Sequence, residues 1–541
     1  MAEVLISPGV LARENDQSQI TAGPIQAGAA IIGPTVKGQQ DIPRLVTSYS
    51  EYQAAFGTTF LSGSNQFTFF TSISAYNYFQ NGGSTLLVTR VTPEAFSPAT
   101  SSYINTGSAG STVTANVSPF TLATLADGNI MNSVGPSGTN GTLDSGSVDN
   151  FRWEITNPST SSGVFSLLLR QGDDTQTSKQ VVETYSNLSL DPLSTNYISK
   201  VIGDQVQTVR GTGVNVYLQS SGSYPNASRF IRVASVDAQT PNYFDNAGNP
   251  KDIFTGSIPE TQSGSFGAAL GNITGSGNPS NFYQTINNVD SQGMIGSDYT
   301  TAINLLANRD DFRYNLITAP GLILQNALTG AGWTTIQSNC ENRGDAIFVG
   351  DLVNYDASLT QVTGQAASVD SSYVASYWPW LQVIDPDSRE LVWVPASTMI
   401  PGVYAYNDRA GEPWFAPAGI NRGGLGAVSQ AERKLTNTNR DDLYTGKVNP
   451  IATFPGQGIV VFGQKTLQTK ASALDRVNVR RLLITLKNYI SQIADTLVFE
   501  QNTAATRNTF LSQVNPYLES QELLFLACLS RHLLVCTFLN H

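Results

Sequence analysis

This sequence predicts an α/β and α+β multi-domain fold with β-rich domains inserted into it, and three observations carry the prediction. A chain of 541 residues has room for about three or four domains. Strand and helix patterns alternate in residues 21–92 and again in 305–412, as parallel strands joined by crossover helices require. Between them, residues 93–304 turn to Ser, Thr, Gly and Asn with short β-branched runs, a β-rich composition.

The elements follow in order. Residues 1–20 form an N-terminal arm with apolar Val4, Leu5, Ile6, Val10 and Leu11. Too short to pack alone, it either frays or adds a strand to another sheet. Ala29–Gly33 and Leu45–Thr47 read as strands, and Ser48–Phe56 as a capped helix with Glu51 near its start. Ser64–Gln80 reads as a helix, apolar at Phe67, Phe70, Ile73 and Phe79 and stopped by Gly82-Gly83. Ser84–Val91 follows as a strand. Residues 93–149 fit a small inserted β-rich surface domain better than a disordered linker. Residues 150–304 fit a second one, with a hairpin of Phe151–Thr156 and Val164–Arg170 and further strands at Tyr197–Ile202 and Arg229–Val233. Tyr299–Ala307 then reads as helix, Tyr314–Thr318 as strand, Leu322–Asn342 as mostly helix and Ala346–Val349 as strand. Residues 21–92 and 305–412 thus make one α/β domain. A C-terminal block at 413–520 and an apolar tail at 521–541 complete the chain.

Composition narrows the function. Charged residues are only 13% of the chain, about half the usual share, so the surface is largely neutral and polar, as suits a protein lying against neighbours. The net charge of -11 is uneven: residues 413–520 hold twelve Lys/Arg and seven Asp/Glu, a net of +5, and 521–541 sum to zero, leaving -16 for residues 1–412. An acidic body argues against nucleic acid as the main partner. Cys340, Cys528 and Cys536 are no disulfide framework, which fits a reducing compartment. The N-terminus has no secretory h-region.

The terminal block contains the clearest helix, with Val479, Leu482, Leu483, Leu486, Ile490, Ile493 and Leu497 in one apolar stripe. At 100° per residue Arg476, Arg480 and Lys487 share one flank of that stripe. This basic ridge either solvates the helix edge or docks on acidic groups of a partner.

Catalytic chemistry finds no constellation. His532 and His541 are the only histidines, so a nucleophile–histidine pair would have to come from the extreme end. Cys528 and Cys536 around His532 have helical rather than zinc spacing. Gly446-Lys447 lacks the earlier glycine of a phosphate loop, and Gly424-Leu425-Gly426 lacks the third glycine of a dinucleotide turn. Arg343-Gly344-Asp345 resembles an adhesion tripeptide but leads into a strand. No enzyme activity, cofactor or metal is expected.

Several segments together resemble contractile tail sheath proteins of bacteriophages. They are SPGV (7–10), AIIGPTVKG (30–38), FQNGGSTLLVTRV (79–91), RQGDD (170–174), VVETYSNLSLDP (181–192), YWPWLQVIDP (377–386), WVPAS (393–397), APAGINRG (416–423), VNPI (448–451) and DRVNVRRL (475–482). Each is weak alone; the order and spacing are specific. The resemblance implies sheath core domains built from N- and C-terminal parts of the chain, with β-rich domains decorating the outside. It implies hexameric rings stacked in a helical sheath around a tail tube protein, with baseplate and tail terminator proteins as further partners. It also implies a place in the virion tail after assembly in the host bacterial cytoplasm, with no nucleic acid partner and no membrane insertion. Arms there cross to neighbours, and Arg476, Arg480 and Lys487 are expected to face the tube or another subunit.

After Ser520 the text becomes QELLFLACLSRHLLVCTFLNH and leaves the family pattern. Arg531-His532 interrupts the apolar run, against a membrane span, and a reading-frame change or truncated end is the expectation. Two other readings are the sheath of a phage-derived bacteriocin or injection machine and, from a different class, a surface protein whose residues 93–304 bind a glycan.

Overall fold

The computed structural model describes residues 25–62, 65–107, 118–137, 140–273 and 291–538. Val4, Leu5, Ile6, Val10 and Leu11 of the arm lie outside the described residues. Along the chain, β1 (Ala29–Gly33), β2 (Arg44–Val46), α1 (Tyr49–Phe56), α2 (Phe70–Gln80) and β3 (Leu86–Arg90) lead into the insert. Its sheet strands are β4 (Pro98–Ser101), β5 (Phe120–Asp127), β6 (Phe151–Ser159), β7 (Val164–Gln171), β8 (Val181–Ser189), β9 (Ile231–Val236) and β10 (Gln262–Gly267). The chain returns through β11 (Leu316–Ile323), α3 (Gly330–Arg343), β12 (Ile347–Asp351) and β13 (Val374–Ala375). Then come β14 (Tyr377–Trp378), β15 (Leu381–Ile384), β16 (Leu391–Val394), α4 (Ile400–Ala410) and β17 (Val428–Ala431). Last are β18 (Asn449–Phe454), β19 (Gly458–Val461), α5 (Val477–Asp495) and α6 (Ala504–Phe538).

The body is a six-stranded sheet in the order β13-β12-β11-β1-β3-β2, parallel except for β2. β1 and β3 read AAIIG and LLVTR and are buried throughout, as strands covered on both faces must be. The sheet closes where Ala30 pairs with Ile317 and Ile31 with Thr318, joining the two parts of the chain that flank the insert. Helix α1 begins as its sequence indicates: Ser48 Oγ accepts the Glu51 amide at 3.2 Å, and Gly57 ends the helix at φ +76°.

Five expectations need correction. Helix α2 starts at Phe70, not Ser64, because Asn65–Phe67 pairs with Phe60–Ser62 and sets Phe67 against Phe60. Ile198–Ile202 is a helical turn rather than a strand, since Ile198 and Ile202, one turn apart, both point into the insert core. Leu322 and Ile323 end β11, and the following helix begins only at Gly330. The separation of 93–149 from 150–304 also fails. One seven-stranded antiparallel sheet, β8-β7-β6-β10-β4-β5-β9, takes strands from both stretches around a core that includes Phe120 stacked on Phe165 at 5.4 Å. The RQGDD motif folds back on itself here: Arg170 donates to Asp174 (2.7 Å) and Glu154 (2.9 Å) with every group buried.

The 412/413 boundary cuts through packed sheets, because β17 pairs with β15 and β18 with β14. The terminal block therefore completes sheets that the preceding residues begin. The apolar tail continues α6, which runs to Phe538.

The insert is seated on the body by Arg90 at the end of β3. Its buried guanidinium donates from Nη1 to the Gly38 carbonyl (2.6 Å) and the Asp127 carbonyl (2.8 Å) and lies 4.9 Å over the Phe96 ring. Asp127 in turn accepts the Gln40 amide on Oδ2 at 3.0 Å. Burial lowers the Arg90 pKa only to about 10, so it stays charged at neutral pH. A second strap, the hairpin of Val206–Arg210 and Tyr217–Ser221, places Val209, Val216 and Leu218 against the body core. Charge-assisted hydrogen bonds contribute about 1.5–3 kcal/mol each, so Arg90→Ala should lower the first urea transition by about 3 kcal/mol and open residues 91–97 to protease, with the insert sheet intact by circular dichroism.

Candidate functional site

In open parallel sheets a ligand binds at the carboxyl ends of the strands where the strand order reverses. Here that point lies between β1 and β11, because the chain proceeds from β1 to β3 on one side and from β11 to β12 on the other. Helix α2 starts against this crevice, and its first-turn amide, Phe70 N, donates to Gln292 Oε1 at 2.9 Å. Gln292 Nε2 donates to the Pro320 carbonyl (3.4 Å), and Ser291 Oγ to the Gly321 carbonyl (2.5 Å). Gly33 lies so close beneath α2 that a Cβ would come within 2.4 Å of Thr71 Oγ1. The helix N-terminus that would hold a phosphate is thus occupied by the chain's own amide side chain.

The carboxylate at the end of β12 is also committed. Asp351 accepts the Ser397 amide (3.0 Å) and the Ser397 hydroxyl (2.5 Å), and burial pushes its pKa up to about 7. Arg343 and Asp345 of the adhesion-like tripeptide form a buried pair at 2.9 Å, with the guanidinium 4.3 Å over Tyr314. Cys340 is buried and burial raises its thiol pKa, so it is no nucleophile. Among the described residues no group of three His, Cys, Asp or Glu could hold a metal, and no helix is long and apolar enough to cross a membrane.

Among the described residues, α5 presents an unusual surface. The helix turns its arginine side inward: Val477, Arg480, Arg481 and Ile484 are its buried residues. At 100° per residue this packed face lies about 160° from the predicted apolar stripe, whose members Val479, Leu482, Leu483, Leu486, Ile490, Ile493 and Leu497 stay half-buried. The stripe therefore faces away from the core, contrary to the usual amphipathic arrangement. Helix α6 covers part of that side, with Tyr489 stacked on Tyr517 at 3.8 Å.

The three ridge residues do lie together, but they engage their own chain. Arg476 pairs with Asp475 at 3.2 Å and meets the Tyr444 hydroxyl. Arg480 stacks 4.0 Å over Tyr373 and meets the Ser372 hydroxyl. Lys487 is exposed and donates to the Gly344 carbonyl at 3.1 Å. Arg481, which sequence reasoning passed over, makes the strongest anchor: it donates to Asp408 of α4 at 2.5 Å and lies 4.7 Å over Tyr404. Its signal was the Arg480-Arg481 doublet turned away from the leucines.

The candidate site thus combines a filled crevice, paired internal charges and an outward apolar helix face. Part of the chain is similar to known proteins. Residues 293–467 match the family model described as phage tail sheath protein central domain. The chain is 36% identical over 186 residues to the tail sheath protein of Vibrio phage KVP40, covering 34% of this chain and 28% of that protein. It is 32% identical over 176 residues to the tail sheath protein of Enterobacteria phage T4, covering 32% of this chain and 27% of that protein. The fold over 92% of this chain resembles 84% of the sheath tail protein of Listeria innocua, at 10% identity and a TM-score of 0.50. The resemblance to contractile tail sheath proteins is borne out, as is the mixed α/β multi-domain fold, while the matches span about 28% of the curated relatives' length.

The raised carboxyl of Asp351 yields a pH signature. Its folded pKa of about 7 exceeds an unfolded value of about 4, so the folded state keeps its proton longer and stability falls as pH rises through that window, by roughly 1.4 kcal/mol per unit. Denaturant titrations at pH 5 and 7 should show this fall, and Asp351→Asn should make it shallower, with the rest left to Asp41, whose carboxyl burial also raises to about 7.

Proposed function

We propose that this chain is the structural subunit of a contractile phage tail sheath. It polymerises as stacked hexameric rings around a tail tube and shortens to drive the tube through the host envelope, and it is not an enzyme. The observation that carries the reading is the apolar stripe of α5, turned from its own core in a chain whose ligand crevice is filled. The sheath central domain at 293–467 supports it. The exposed edge of α5 at Lys487 faces the tube or another subunit, and Arg476 and Arg480 hold the helix at the angle that presents it.

The arm residues Val4, Leu5, Ile6, Val10 and Leu11 add a strand to a neighbour's sheet. Edges are offered for this: β16 pairs only with β15 among the described residues, and its Leu391 lies beside Ile384, both more than half exposed. A handful of backbone hydrogen bonds at about 1 kcal/mol net each tethers without welding. The sequence carries no phosphate-loop motif, and contraction releases energy stored at assembly. Tube, baseplate and terminator proteins are the further partners, in a virion assembled in the host cytoplasm.

Electron microscopy of the purified chain tests this, with striated hollow tubes expected and only dispersed monomers contradicting it. Val4→Asp with Ile6→Asp and Val10→Asp should abolish tubes while circular dichroism stays unchanged. Lys487→Glu should reduce co-assembly with tubes without shifting the melting temperature; normal co-assembly removes Lys487 from the interface.

A further inference from the structure

Lys37 of the body and Asp149 of the insert meet where the two domains join. We propose that the Lys37 amine and the Asp149 side chain condense into an intramolecular isopeptide bond that fixes the insert to the body covalently. Nζ lies 3.3 Å from Asp149 Oδ1 and 3.2 Å from the Asp149 carbonyl oxygen, in contact with the carboxyl group it would attack. Lys37 is 4% exposed and Asp149 8%.

The enclosure is tight. A Cβ on Gly57 would come 2.8 Å from Val36 Cβ and 3.1 Å from Asp149 Oδ1, and the Phe151 ring centroid lies 5.4 Å from Nζ. Burial lowers the pKa of the lysine and raises that of the aspartate, and their mutual attraction and hydrogen bond oppose both shifts without reversing them. One proton transfer therefore converts the ion pair into a free amine beside a protonated carboxyl, which are the reacting forms.

The step balances without an oxidant or co-reactant. The Nζ lone pair adds to Cγ and forms the N–C bond, and one Cγ–O bond then breaks. The departing hydroxyl takes one amine proton and leaves as water, and a secondary amide remains. The bond closes a loop spanning 112 positions of sequence separation, so the whole first part of the insert is held at both ends. This inference stands independently of the sheath reading.

Intact-mass measurement of the purified, folded full chain tests it. After prolonged incubation in mildly alkaline buffer the wild type should be lighter than its sequence mass by one water, and trypsin should release a branched peptide joining the Lys37 and Asp149 stretches. Lys37→Arg keeps the ion pair but supplies no free amine, so it should retain the full mass. Asp149→Asn should close with loss of ammonia instead. A folded wild type that keeps its full sequence mass and yields only linear peptides overturns the proposal and leaves a plain buried ion pair.

Discussion

The parallel pairing of β1 with β11 is the constraint on which the rest of the structure depends. Ala30 and Ile317 lie on opposite sides of the whole insert in sequence, yet their strands are neighbours at the centre of the body sheet. Closing so long a loop costs only slightly more than closing a short one, because the entropy grows with the logarithm of length. Once closed, the pairing buries two apolar runs that neither half of the chain could cover alone. It also brings α2 and the Ser291-Gln292 turn to the same crevice, which fills the position a ligand would take.

Arginine does much of the remaining work, and it does it inside. Arg90, Arg152, Arg170, Arg343, Arg480 and Arg481 are all buried in a chain that carries only 30 basic residues. A planar guanidinium can satisfy several carbonyls or carboxylates at once and stack on a ring, so it suits junctions between domains. Arg90 joins insert to body, Arg170 folds the RQGDD loop, and Arg481 ties α5 to α4. Of the twelve basic residues in the terminal block, Arg480 and Arg481 are buried, and they hold α5 with its leucines outward.

This division explains what was legible in the sequence. The body strands AAIIG and LLVTR, the cap at Ser48 and the helix over 477–495 are local patterns, and local patterns were enough. The single insert was not, since nothing local shows that Pro98–Ser101 pairs with Gln262–Gly267. Periodicity located the α5 stripe correctly but could not say what covers it, because an apolar face has the same spacing whether its partner is the same chain or another. The flank of Arg476, Arg480 and Lys487 was legible as geometry; the tyrosines that receive the two arginines, Tyr444 and Tyr373, come from elements distant in sequence. The filled crevice was legible only as the absence of a phosphate-binding motif.

Native-state hydrogen exchange most directly tests the claim that one sheet is joined across the insert. Amides of β1 (29–33) and β11 (316–323) should open together, with the same free energy and the same denaturant dependence, even under conditions where the insert strands open separately. Exchange of β1 at a lower free energy than β11, independent of it, would contradict the account.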